Sequence, residues 1–571
     1  MSGRKENVVR RGFRYLREKG VKETVRRGFL HFGTKRRRRE YLARMIPDEE
    51  TLQKQRKEYF PENVRFSILV PLYNTPEDLL AEMIDSVCDQ SYENWELCLA
   101  DGSDEKHAAV GKYCRARAEK ENRIHYRKLE KNEGISGNSN AALEMAGGDY
   151  IVLFDHDDVL LPNALYETAK AIHETGADFL YTDEMVFRHP NRKDILGLRF
   201  KPGYSPDHLL TNNYICHMTV FRKDLPEKAG GAFRSEFDGS QDHDLILRMT
   251  DAAEKVHHIP KILYMWRSVQ GSVASDISAK PYTITAGQNA VRAFLRDRKG
   301  MDAEVVSTDI YPTMYRVKYP IDGESSVRVI ADMRGKDAAG LETLKEKTAW
   351  QNIVWTEIAG EGSRRDRWET AAREAKEDYL LFLEGELVPE NPDWIREMLM
   401  ICRQSHVGAV GAKTYVARGN LRQGGIVLGM GVRRLAGRAY YMLDEDYDGY
   451  YGQLDVVCDV SAVCDCWMVR REKFGEVDGF SDGYNDALFD IDFCLKLREN
   501  GYYNVFTPFA ELKGGSAKRV HFDAGSEWKS YPEDAKIFRE RWQVMIDDGD
   551  PFYNPNLSLD YEDWRIGKAA K

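Results

Sequence analysis

From Arg65 onward the chain alternates short apolar runs with amphipathic stretches. The run "FSILVPLYN" predicts a strand ending at Pro71, and helical spacing follows from Pro76 to about Cys88. "WELCLADGSD" predicts a second strand ending in acidic and small residues. A helix from about Lys106 to Lys120 and a third strand, "IHYRKL", come next. A Gly/Asn loop and helix, "NEGISGNSNAALEMA", lead into "GGDYIVLFDHDDVLLPNAL", where the apolar run Ile151 to Phe154 stops at Asp155, His156, Asp157 and Asp158. Strands and helices alternating through short links predict an α/β fold with a parallel sheet and crossover helices. Ligands of such sheets bind beyond the carboxyl ends of the strands, where Pro71 to Asn74, Asp101 to Asp104 and Asp155 to Asp158 all fall.

The pattern then repeats. "GDYIVLFDHD" at 148–157 is echoed by "EDYLLFLEGE" at 377–386, and "GSQDHDLILRM" at 239–249 by "LFDIDFCLKLR" at 488–498. The order of elements is the same in both copies, which predicts two related domains meeting between Tyr319 and Met333. The expected division is an arm over 1–62, a first domain over 63–320 and a second over 321–571. In the second copy the stretch before the acidic cluster is short and runs through Arg364, Arg365, Asp366 and Arg367, an eroded version of the first.

Charge sharpens this picture at the N-terminus. Residues 1–40 carry 15 Lys and Arg against four Glu, a balance of +11 that leaves −21 for the rest of a chain with net charge −10. "VRRGF" occurs at Val9 and Val25, a "KRRRRE" run starts at Lys35, and Phe13, Leu16, Phe29, Leu30 and Phe32 lie among the charges. A solvated helical arm is one reading. Adsorption on an anionic membrane surface, with cationic stems around aromatic anchors, is the other. The acidic remainder argues against nucleic acid as a partner. The sequence has no apolar run of about 18 residues and its basic start lacks a secretory core, so the expected place is the cytoplasm, peripheral to the inner face of the membrane. Nine cysteines form no disulfide framework, and Cys458, Cys464 and Cys466 read as small buried strand residues.

Three adjoining carboxylates repel one another and weaken a strand that has to bury them. A hard divalent cation, Mn²⁺ or Mg²⁺, relieves that repulsion and takes oxygen ligands together with phosphate oxygens. A capping or turn cluster is the alternative, since Asp is common after strands. In "FDGSQDHDLILRM" Asp242 and Asp244 open an apolar helical run. Both suit a first helical turn on dipole grounds alone. As chemistry, Asp242 takes a proton from an attacking hydroxyl and Asp244 orients the helix end.

"SILVPLYN", "LADGSD", "NEGISGNSNAAL", "FDHDDVLLPNAL" and "SQDHDLILR" are similar, in order and spacing, to the successive motifs of inverting family-2 glycosyltransferases with the GT-A fold. The likeness covers about residues 65–300. It implies that Pro71, Tyr73 and Asp101 hold the base and ribose of a nucleoside-diphosphate sugar, that Asp155 and Asp157 hold the metal on the diphosphate, and that Asp242 is the catalytic base. Arg267 is a further candidate contact for the diphosphate. Two departures stand out. Gln241 replaces the usual Glu before Asp242, and "YMWR" puts Met265 where the family commonly has a metal-binding His. A thioether is a poor ligand for a hard cation. His257 and His258 read as strand-edge residues.

The second half, through "GGIVLGMG", "VSAVCDCWMVRREKFGEVDGF", "FDIDFCLKLRENGY" and "DPFYNPNLS", resembles the C-terminal domain of two-domain enzymes of O-antigen, rhamnan and related surface-polysaccharide assembly. Two tandem GT-A-like domains are therefore expected. In the second, Glu384 and Glu386 replace the metal pair, Asp490 keeps the position of the base, and Gly514 stands where the family has a His. A second active centre and a degenerate, acceptor-handling domain both remain open. The resemblance implies a metal-dependent transfer to a saccharide or lipid-linked saccharide of a growing polysaccharide. The rival is a non-catalytic scaffold of an assembly complex. A nucleotidyltransferase would want a Gly-rich loop with a nearby cation after the first strand, where this chain has "PLYNTPED".

Overall fold

A computed structural model describes residues 36–268, 282–321, 324–333, 338–358, 360–416, 419–514 and 526–568. Most of the basic arm, residues 1–35, lies outside them. Of the stretch read as the arm, residues 36–45 are helical.

The first sheet is built from β1 (Phe66–Leu72), β2 (Trp95–Asp101), β3 (Ile124–Lys128), β4 (Tyr150–Leu153), β5 (Val159–Leu160), β6 (Phe179–Arg188), β7 (Asn191–Arg199), β8 (Thr219–Arg222) and β9 (Val256–Ser268). Its order is β3-β2-β1-β4-β8-β6-β9-β5, with β7 beside β6. β1 is buried along its whole length because both faces are covered. Phe66, Ile68 and Val70 share one cluster with Leu80, Met83 and Ile84 of the helix Glu77–Cys88, while Leu69 shares another with Ala141 and Ala142 of the helix Gly134–Leu143. That double coverage is why the strand reads as an unbroken apolar run. The parallel arrangement expected from the alternation holds from β3 to β4. Beyond β4 the sheet is mixed, because β8 pairs antiparallel with both β4 and β6.

A hairpin, β10 (Glu304–Ser307) with β11 (Tyr315–Lys318), precedes the second sheet. That sheet contains β12 (Val327–Asp332), β13 (Ile353–Ile358), β14 (Tyr379–Glu384), β15 (Leu387–Pro389), β16 (Val407–Tyr415) and β17 (Leu421–Gln423). A separate ribbon, β18 (Ile426–Leu428) with β19 (Ala436–Arg438), follows, and β20 (Cys458–Val460), β21 (Cys466–Arg470) and β22 (Tyr503–Gly514) complete the sheet. Its order, β13-β12-β14-β21-β16-β22-β15, reproduces the run from β2 to β5 of the first sheet strand for strand. Among the described residues, what it lacks is a partner outside β13. Between β2 and β4 the first half fits a helix (Ala108–Ala118), β3 and a second helix, whereas between β13 and β14 there is one helix, Arg364–Glu374. The two halves bury a shared cluster in which Met185, Phe187, Phe200 and Met265 meet Tyr415, Leu421, Tyr440 and Trp564.

Candidate active site

The parallel register sets Leu72 opposite Asp101 and Leu69 opposite Leu153, so the expected nucleoside residues and the acidic turn rise from neighbouring strand ends. Asp101 is buried; it accepts from Ser103 N at 2.8 Å and from Tyr126 Oη at 2.7 Å. Pro71 is buried inside β1, and Tyr73, just past the strand end, is 46% exposed.

β4 ends at Leu153, and the amide of Phe154 still reaches the carbonyl of Leu69 at 3.2 Å. The carboxylates that follow divide their tasks. Asp158 is fully buried and ties the turn to β9, accepting from Tyr264 Oη at 2.6 Å and from the amide of Arg267 at 2.7 Å. Burial, with the charges of Asp157 and Asp155 beside it, pushes the Asp158 carboxyl well above its ordinary range. Burial also raises Asp157. Asp155 behaves differently. Enclosure works against its charge, but the hydrogen bond and charge of His217 hold it below the usual value. His217 Nε2 is 3.4 Å from Asp155 Oδ2, and Nδ1 is 3.2 Å from Glu184 Oε2. Its ring stacks on Tyr264 at 4.6 Å. One ligand atom each from Asp155, Asp158 and His217 lies within 4.8 Å of the others. Asp157, expected to share the metal, sits on the same turn outside this group of three.

Arg267 is not brought to the group. Its guanidinium is fully buried, donating to the carbonyl of Asp157 and pairing with Glu82 at 2.7 Å. Met265 pairs in register with Val159 and lies in the apolar cluster between the halves. His258 Nε2 donates to Asp183 Oδ1 at 2.8 Å, and the residue pairs with Tyr181 within the sheet. Sequence reasoning missed His217, a lone histidine in the loop "NNYICHM" that no local pattern ties to Asp155.

That loop also reaches Asp242. The helix Gln241–Ala252 starts after Gly239, whose φ of +100° and close approach to Tyr282 leave no room for a side chain. Gln241 Oε1 accepts from the amide of Gly239 at 2.9 Å, so the amide at this position steadies the turn. Asp242 Oδ2 accepts from Asn213 Nδ2 at 2.8 Å and lies 3.6 Å from Cys216 Sγ. Asp244 is buried between Arg234 and Arg248, pairing with Arg248 at 2.7 Å, which anchors the first turn of the helix.

At the matching place in the second half the acids have other partners. Glu384 pairs with Arg364 at 3.0 Å and also with Arg422. Arg364 is 3.4 Å from Asp332. Asp465 is fully buried between Arg422 and Arg438, each at 3.0 Å. Burial works to raise its carboxyl, yet these two guanidinium groups hold it down at about 2. Asp490 lies in the first turn of its helix, accepting from the amide of its neighbour Ile491 at 2.9 Å, and burial pushes it up to about 6. Glu384 is thus joined to arginines, and the structure does not gather Glu384, Glu386 and Asp490 into one ligand set.

The family model "Glycosyl transferase family 2" matches residues 67–229, the span from β1 to just past β8. An uncharacterized protein, y4gI, of Sinorhizobium fredii is 35% identical over 87% of this chain and 58% of its own length. The O-antigen biosynthesis protein RfbC of Myxococcus xanthus is 28% identical over 86% of this chain and 40% of its own. The chain thus spans about half the length of these two relatives. The putative teichuronic acid biosynthesis glycosyltransferase TuaG of Bacillus subtilis is 30% identical over 37% of this chain and 81% of its own length. With five ordered motifs, a sheet that turns from parallel to antiparallel after the acidic strand end, and these relatives, the chain belongs to the family 2 glycosyltransferases, with the GT-A architecture.

Proposed function

We propose that this glycosyltransferase moves a sugar from a nucleoside-diphosphate sugar to a growing, lipid-linked bacterial cell-surface polysaccharide, in one displacement that inverts the anomeric carbon. The observation that carries the reading is one short loop, residues 212–217, that serves two sites at once: His217 meets Asp155, and Asn213 meets Asp242. The names of the relatives, O-antigen and teichuronic acid biosynthesis, support the polysaccharide as product.

Two carboxylate oxygens and the His217 nitrogen, once it gives up the proton it holds toward Asp155, lie within 4.8 Å and would suit Mn²⁺ or Mg²⁺. Asp155, Asp158 and His217 would hold the ion, with Asp157 the remaining carboxylate of the same turn. When bound, such an ion neutralises charge on the departing nucleoside diphosphate. The rest falls to the chain's own residues. Pro71, Tyr73 and Asp101 receive the nucleoside at the first two strand ends. Asp242, held through Oδ2 by Asn213, takes the proton of the acceptor hydroxyl. The expected diphosphate contact of Arg267 is replaced by a supporting role, since its guanidinium braces the acidic turn.

The domain of transfer is 63–320, and 321–571 supports or handles the acceptor; the arginine pairs of Glu384 and Asp465 favour this over a second centre. Among the described residues no helix is long and apolar enough to cross a membrane. Residues 1–40 adsorb on the anionic inner face of the cell membrane, each basic residue contributing about 1 kcal/mol. Deleting them releases the chain from anionic vesicles, and high salt does the same to the intact chain; binding that persists in high salt refutes the arm as anchor. The central test is release of nucleoside diphosphate from a panel of nucleotide sugars with Mn²⁺ or Mg²⁺. Release that Asp155→Asn abolishes is expected, and release that is indifferent to metal and to this substitution overturns the reading.

A further inference from the structure

The segment "DPFYNPNLS" belongs by sequence to the second half, yet it lies across the first sheet. The carbonyl of Pro551 accepts from the amide of Gly203 at 2.7 Å, and Asn556 Nδ2 donates to the carbonyl of Pro260 at 2.8 Å. Between them Asn554 is buried. Its Nδ2 donates to both oxygens of Asp183, at 3.1 and 2.9 Å, and to the carbonyl of Lys201 at 2.9 Å.

Asp183 and Glu184 are consecutive, fully buried carboxylates on β6, a costly pair unless each is well supplied with donors. Asp183 takes the amide of Lys201 at 2.8 Å and His258 at 2.8 Å in addition to Asn554. Lys201 then carries the support onward. Its Nζ donates to Glu184 at 3.2 Å, to the carbonyl of Ile215 at 2.6 Å and to the carbonyl of His217. Glu184 in turn meets His217 Nδ1 at 3.2 Å. A second tie comes from Asp459 on β20. Its Oδ2 accepts from the amides of Asp207 at 3.0 Å and His208 at 3.3 Å, in the short helix Pro206–Thr211 that runs straight into Asn213.

We propose that Asn554, with Asp459 beside it, is a positioning residue through which the second half holds the 212–217 loop in register with Asp155 and Asp242. The proposal rests on the reading of Asp155, Asp158 and His217 as a cation site. An imidazole ligand is oriented by whatever its other ring nitrogen meets, and loss of such outer support typically weakens metal affinity about 10- to 100-fold. Without Asn554, Asp183 lacks a donor, the chain at Lys201 shifts, and both supports of His217 move with it.

The test is Mn²⁺ affinity of the full chain, read by electron paramagnetic resonance of the free ion, together with the melting temperature. Asn554→Ala is expected to weaken Mn²⁺ binding about 10-fold or more. Tyr553→Phe removes another hydrogen bond of the same segment, to the carbonyl of Ser558 at 2.8 Å, without touching Asp183, and is expected to leave Mn²⁺ affinity within about twofold. If Asn554→Ala does not fold, Asn554→Ser, which keeps one donor, replaces it. Asp155→Asn separates the two ideas. If it abolishes Mn²⁺ binding while the Asn554 variants bind like the unaltered chain, the positioning role is overturned and the metal site stands. If the unaltered chain binds no Mn²⁺, both fall. Equal weakening by Asn554→Ala and Tyr553→Phe also overturns the proposal, because general loosening of the segment then suffices.

Discussion

Asp155 follows β4 and Glu384 closes β14, two strands that hold the same place in two sheets of the same order. Their surroundings part company at once. Among the described residues no lysine or arginine pairs with Asp155, whose partner is the imidazole of His217. Glu384 has Arg364 and Arg422, and Asp465 next to it has Arg422 and Arg438. The same strand end thus carries its acid in two ways, beside an imidazole, as the proposed cation site requires, or between permanent guanidinium groups. The second solution removes the need for a ligand. It also explains why Arg364 lies at the start of the one helix that replaces a helix, a strand and a helix of the first half.

The comparison breaks most severely at the base. A positioned general base contributes about 100- to 10,000-fold, so Asp242→Asn is expected to lower transfer by that factor with nucleotide affinity nearly unchanged. Asp490→Asn, the same change in the second half, is expected to leave transfer within about twofold. The reverse pattern in steady-state kinetics would move the active centre to the second half. Next is Arg364→Met, which leaves Glu384 and Asp332 short of a cation in a site where Arg364 is only 13% exposed. Stability should fall by about 3 kcal/mol in denaturant unfolding. A neutral outcome denies that the arginine replaces a metal.

Mn²⁺ sharpens the contrast from the other side. At 100 times its dissociation constant it should stabilise the chain by about 2.7 kcal/mol, an effect that Asp155→Asn removes and Glu384→Gln does not. Equal loss in both variants argues for two cation sites. The smallest effect concerns Asp465. Its folded carboxyl, at about 2, lies below the ordinary Asp value, so its contribution is fully present above about pH 4 and is lost as pH falls toward 2. Asp465→Asn should cost about 2 kcal/mol at pH 7, and the gap from the unaltered chain should close on acidification. A gap that stays constant down to pH 2 contradicts the ion pairs with Arg422 and Arg438.

Local pattern carried the strands, the repeat and the acidic turn, because burial of β1 on both faces and the break after Phe154 are written in consecutive residues. Asp242 was legible for the same reason, as a carboxylate opening an amphipathic helix. Other parts of the site depend on which distant side chains meet. Nothing near His217 or Asn213 announces Asp155 or Asp242, since the loop acquires its meaning only when β8 joins β4. Arg267 reads from sequence as a phosphate contact and turns out to brace a carbonyl, because its direction is set by Glu82 on another element. Asp158 reads like its neighbours, yet it is the one whose oxygens also accept from Tyr264 and the amide of Arg267, which only the fold reveals. The arginine partners of Glu384 and Asp465 come from three separate segments, so the eroded second front showed in the spacing while its chemistry did not.

The contact between Asn554 and Asp183 joins residues 371 positions apart. Translation proceeds from the N-terminus at about 5–20 residues per second, so Asp183 leaves the ribosome about 20 to 70 s before its partner exists. For that interval β6 carries two adjacent carboxylates with one donor missing, in a half whose sheet is otherwise ready to form. The surroundings of Asp183 can therefore be completed only after residue 554 has been made, long after the first half's own residues are in place.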